Sequence, residues 1–104
     1  MIIVRDTFHC KFGMGDQVVA MLKRIVSENA GPGGRVKSAR VMTDISGRFF
    51  TVVSELEMES VDDHQAMLRE TFQRADFAQE FGGMTEAVDS GHREYYTLEA
   101  QYPK

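Results

Sequence analysis

From Ile2 to about Lys11 the chain alternates with a period of two: Ile2, Val4, Phe8 and Cys10 fall on one side, Ile3, Arg5, Thr7 and His9 on the other. That pattern, rich in β-branched and aromatic residues, predicts a strand. Gly13-Met14-Gly15 breaks it. From Asp16 to about Ala30 the period becomes 3.6, with Val18, Met21, Leu22 and Ile25 in one stripe, Val19 and Val26 widening it, and Gln17, Lys23, Arg24 and Glu28 opposite. A helix is expected there, opened by Asp16 where the dipole favours negative charge and closed by Gly31-Pro32-Gly33-Gly34. Arg35 to Thr43 and Phe49 to about Met58 read as two further strands around an Asp44-Ile45-Ser46-Gly47 hairpin turn. Val36, Arg40 and Met42 are expected on one face of the first, and Phe50, Val52, Leu56 and Met58 on one face of the second.

Ser60-Val61-Asp62-Asp63 resembles a capping box, with Asp63 in the Glu/Gln role. The stripe behind it runs through Met67, Leu68 and Phe72, then resumes at Phe77, Phe81, Met84 and Val88. A break between Arg74 and Asp76 divides it into two helices. Ser90-Gly91 is expected to turn into a last strand from His92 to about Tyr102. The order is β-α-β-β-α-α-β, and right-handed crossovers fold it as a ferredoxin-like α+β domain. It has a four-stranded antiparallel sheet with helices on one side. Several strands carry apolar residues on both faces, which a sheet wet on one side avoids. A second subunit on the uncovered face, and so a homodimer, is the expectation.

The 104 residues fit one domain spanning 1–104, without repeats or linkers. A net charge of −4 repels phosphate backbones, so nucleic acid is not an expected partner. No apolar run approaches the roughly 20 residues of a membrane span, and the opening Met1–Asp6 is too short for a signal peptide, so a cytoplasmic location is expected. Cys10 is the only cysteine, which leaves no intrachain disulfide and no C-x-x-C motif.

Lys11-Phe12, then Gly13-Met14-Gly15-Asp16 leading into an amphipathic helix, is similar to the first βα junction of the dimeric α+β-barrel superfamily. Ser90-Gly91-His92-Arg93-Glu94-Tyr95-Tyr96 resembles that group's last strand. The likeness is to the antibiotic biosynthesis monooxygenase-like and NIPSNAP-like members. It implies two four-stranded sheets paired across a two-fold axis. It also implies a range of activities: cofactor-independent monooxygenases, haem-degrading oxygenases, lactone isomerases and proteins of no assigned role. Haem-degrading and quinone-forming members commonly use an Asn, a Trp and a His. This chain has no tryptophan, and its single asparagine, Asn29, stands at a helix end.

His9, His64 and His92 are the histidines. His64 is expected on the edge of its helix's buried stripe, facing a pocket where it and His9 could meet as proton donor or acceptor. The plainer alternative is a half-buried strand residue and a solvent-facing helix residue. No H-E-x-x-H or H-x-x-E-H spacing occurs, and Cys10 is on the wrong strand face to join His9, so no metal is expected. Arg5 and Arg40 are candidates to hold a carboxylate or enolate, or else surface or interface ion pairs. Met67, Phe72 and Tyr96 are candidates to line a site for a small apolar or aromatic ligand, or else core. Without a phosphate-cradling glycine loop or adequate ligand spacing, no haem, flavin or other cofactor is expected. Three function classes follow: a small-molecule protein, for which the resemblance implies a cofactor-independent monooxygenase or isomerase; a non-enzymatic binding or assembly module; and a haem protein with His64 as axial ligand.

Overall fold

In the computed structural model, residues 1–74 and 76–103 are described, with side chains for all but 77, 78, 80 and 81. The elements are β1 (Ile2–Cys10), α1 (Gly15–Asn29), β2 (Ser38–Thr43), β3 (Thr51–Met58), α2 (Val61–Phe72), α3 (Phe77–Ala87) and β4 (Val88–Thr97). The strands form one antiparallel sheet in the order β2-β3-β1-β4. The α+β ferredoxin-like architecture is the expected one, and the break after Phe72 divides the two later helices as the spacing required. The stripe positions Phe77 and Phe81 have side chains outside the described part.

Alternation in β1 and β3 decides what the helices cover. Val4, Asp6, Phe8 and Cys10 point with Val52, Ser54, Leu56 and Met58 toward the helices. Val4, Leu56 and Met58 pack with Val36 and Met67 of α2 in one cluster. Cys10 and Val52 pack with Val18 and Leu22 of α1 and Ala87 of α3 in a second. The sheet's other face carries Ile3, Arg5, Thr7 and His9 and has no helix over it. At α2, Ser60 Oγ accepts a hydrogen bond from the Asp63 amide at 3.1 Å, the serine half of the capping box.

Several boundaries differ from the expectation, each for a local reason. The hairpin loop runs through residues 44–50, longer than the four-residue turn, because Phe50 adopts φ +56° and cannot continue a strand. Phe49 and Phe50 therefore sit before β3, where Phe50 meets the Phe12 ring edge-on at 4.9 Å. Val36 precedes β2, bridging to Ala30, and is buried in the core and not aligned with Arg40 and Met42. β4 begins four residues earlier than His92 and ends at Thr97. Gly91 is no turn: it lies inside β4 opposite Phe8, where a Cβ would stand 2.8 Å from the Thr7 carbonyl oxygen.

Candidate functional site

The helices do not close completely on the sheet. Between them lies a cavity of about 250 Å³ whose walls are largely apolar, formed by Met21, Leu22, Ile25 and Val26 of α1, Met67, Leu68 and Phe72 of α2, Met84 of α3, and Phe8 and Leu56 of the sheet. Its polar groups are few: Asp6, Ser54, His64, Thr71 and Arg93. A mostly apolar concavity with a few convergent polar groups is the usual form of a small-ligand site.

His64 stands one turn inside α2, where the helical stripe turns it onto the sheet. It is 1% exposed, among the most buried side chains of the protein. Its Nδ1 lies 2.8 Å from the Tyr95 hydroxyl, which also accepts a hydrogen bond from Gln65 Nε2 at 3.1 Å. With Gln65 Nε2 donating to the phenol oxygen, a phenolic hydrogen given to His64 Nδ1 leaves the imidazole's own hydrogen on Nε2. Burial lowers the His64 pKa, the Arg93 charge lowers it further, and Asp6 opposes them. The imidazole is neutral near pH 7.

Asp6 and Arg93 face each other across β1 and β4. Arg93 donates from Nε to Asp6 Oδ1 at 2.7 Å and from Nη2 to Oδ2 at 3.0 Å, a two-pronged pair. The hydrogen bond to Asp6 raises the arginine's pKa despite its burial.

The expected site residues divide between the two faces. His64 and Met67 reach the cavity, and Phe72 lines it while 57% exposed, at its rim. His9 does not meet His64: alternation turns it to the other side of β1, beside His92 with ring centroids 6.1 Å apart. The sheet separates the two histidines. His9 Nδ1 is buried there and has no hydrogen-bond partner among the described residues. Arg5 and Arg40 are also on that open face, where both bind the Glu55 carboxylate, Arg5 through Nε at 2.8 Å. Glu55 has a side chain only 6% exposed. Burial raises its pKa, but the two arginines outweigh burial and hold it below the usual carboxylate range. Tyr96 lies on the open face as well, donating to Glu94 Oε2 at 2.7 Å, with the Arg5 guanidinium 5.9 Å from its ring.

Asp6 and Arg93 are cavity residues that the sequence reading did not select as site residues. A signal existed: counting by twos puts Asp6 on the same face as Val4 and Phe8, and an acid at an apolar-face position needs a partner. Among the described residues no group of three or more His, Cys, Asp and Glu side chains stands close enough to hold a metal ion. A haem does not fit here either. At about 250 Å³ the cavity is smaller than a drug-sized site of roughly 300–1,000 Å³, too small for a haem. No described helix is long and apolar enough to cross a membrane.

No protein-family profile matches the sequence, and no curated protein matches it. Solved structures do share its fold. A NIPSNAP domain protein from Burkholderia xenovorans superposes with a TM-score of 0.76 at 13% identity, covering 100% of each chain. SnoaB, a cofactor-independent oxygenase from Streptomyces nogalater, gives 0.69 at 10% identity over 99% of this chain and 97% of that one. A candidate antibiotic biosynthesis monooxygenase from Deinococcus radiodurans gives 0.74 at 11% identity over 100% and 98%. The fold is thus the one the sequence resembled, and at these identities the likeness concerns fold alone.

Proposed function

We propose that this chain binds a small apolar or aromatic molecule in the cavity between sheet and helices, and that His64 donates a hydrogen bond from Nε2 to an oxygen of that molecule. The observation that carries the reading is a neutral, buried histidine, oriented by Tyr95, in the wall of an otherwise apolar cavity. Burying an imidazole costs desolvation unless both nitrogens find partners. Tyr95 supplies one, and a ligand oxygen would supply the other.

Cofactor-independent oxygenation and isomerisation both begin when an activated carbon gives up a proton, here to solvent base, and the C–H electron pair is left as negative charge on a neighbouring oxygen. A fixed donor in a water-poor cavity stabilises that oxyanion. The fold shared with SnoaB favours this reaction class among the activities open to the chain. A non-enzymatic binding module is the second reading, since the same cavity would serve it without turnover.

Fluorescence titration with 1-naphthol tests the binding. His64→Ala should weaken it by roughly fivefold, the worth of one neutral hydrogen bond. Equal affinity in both proteins would overturn the role given to His64. Oxygen consumption with aromatic ketones bearing an acidic C–H separates the two readings: His64-dependent uptake favours an oxygenase, and binding without uptake or isomerisation favours a module.

The open sheet face is proposed to pack against a second copy of the chain. Arg40, Glu55, Arg5 and Glu94 are register partners and form one row across all four strands. Its charges alternate, so read from the other end the row has opposite sign at every step. A two-fold axis along the strands lays the row over its own reverse, with each cation over an anion. Light scattering at micromolar concentration should give a dimer mass, and Arg5→Glu should dissociate it. A monomeric wild-type mass would sink the proposal.

A further inference from the structure

We propose that Asp6 sets the charge of the ligand the cavity accepts, by neutralising Arg93 so that uncharged molecules enter and anions are excluded. The inference rests on the cavity being a ligand site. It adds a residue that sets specificity through a second side chain.

An arginine lining an apolar cavity would ordinarily be an anion hook, since its planar fork matches a carboxylate or phosphate. Arg93 is poorly placed to act so here: Nε and Nη2 both engage Asp6, one on each carboxylate oxygen, which occupies one bidentate edge of the guanidinium and sets an opposite charge against the rest. The pairing is set by the backbone, because the two residues are direct partners in the β1–β4 register.

The placement of Asp6 makes the same point. Its neighbours on that strand face are Val4, Phe8 and Cys10, its side chain is 14% exposed, and it lines the cavity. Asp6, Arg93 and His64 are the lining residues able to carry charge. With the pair cancelled and His64 neutral, the cavity has no net charge. A carboxylate entering it would lose its water and find no free counter-charge. A neutral ligand with a carbonyl or hydroxyl oxygen would lose little and gain the His64 donor.

1-Naphthol and 1-naphthoate share a bicyclic skeleton suited to about 250 Å³ and differ in charge near pH 7.5. The readout is the ratio of their affinities. Wild-type protein should favour the naphthol. Asp6→Asn frees the Arg93 charge and should move the ratio toward naphthoate by about tenfold or more, as a charge-assisted bond allows. Should that variant not fold, Arg93→Gln leaves the Asp6 charge alone and should move the ratio the other way. A wild-type preference for naphthoate, or a ratio unmoved by whichever variant folds while naphthol still binds, overturns this inference alone. Failure of both compounds to bind wild-type protein overturns the ligand-site reading and the inference with it.

Discussion

His64 Nδ1 and the Tyr95 hydroxyl stand 2.8 Å apart, linking the first turn of α2 to the C-terminal part of β4 across 31 residues of sequence. A phenol that donates to Nδ1 holds the imidazole hydrogen on Nε2. Tyr95→Phe should remove that fixing while leaving the ring in place. In ¹⁵N NMR the wild-type imidazole should show the Nε2–H tautomer, and the variant a mixture. The lost bond should cost about 1 kcal/mol, or roughly 4–8 °C in Tm for a domain of this size. An unchanged tautomer in the variant would mean that Tyr95 does not orient the ring.

Acid should destabilise the protein through His64. Burial, helped by Arg93 and opposed by Asp6, lowers its folded pKa, whereas the unfolded chain takes up the proton near 6.5. The unfolded state thus binds more protons between the two values. Stability is full above about pH 6.5 and falls with pH below it, by up to about 1.4 kcal/mol per unit, until the folded value is reached. Urea midpoints between pH 8 and 5 would record this, and His64→Gln should flatten the slope across that window. A midpoint that rises on acidification contradicts the expected sign.

Glu55 contributes with the same sign in a lower pH window. Its carboxylate is held below its usual range despite burial, by Arg5 and Arg40. Its contribution is present above the unfolded value and lost as pH falls through the folded one. Glu55→Gln should cost about 2 kcal/mol near pH 7, with the gap to wild type closing at low pH. Denaturant unfolding at pH 7 and pH 3 makes the comparison.

Gly91 and Gly82 should respond oppositely to alanine. At Gly91 a Cβ would meet the Thr7 carbonyl oxygen at 2.8 Å, a backbone atom with no rotamer to escape into. Gly91→Ala should lose about 1–3 kcal/mol. Gly82 lies within α3 with nothing within 4 Å of its Cβ position, so Gly82→Ala should gain about 0.5–1 kcal/mol. Thermal melts of the pair distinguish strand crowding from a general intolerance of glycine replacement.

The sequence by itself determined the element order, the faces of β1 and β3, and the burial side of α2, because periods of two and 3.6 are local properties of a backbone. That is why His64 could be set on a buried stripe before its partners were known. Periodicity also implied that Arg5 and His9 share a face. It did not reveal which neighbour they would meet, because pairing depends on strand order and register across dozens of residues. Only the tertiary structure decided that Glu55 stands between Arg5 and Arg40, that Arg93 covers Asp6, and that the thickness of the sheet keeps His9 from His64. Boundaries also escaped the pattern where one residue's backbone ruled: the positive φ of Phe50 delayed β3, and Gly91, resembling a turn in sequence, serves a close strand approach. The division follows from range: local sterics are written in neighbouring residues, whereas charge pairing and cavities arise from chain segments that only folding brings together.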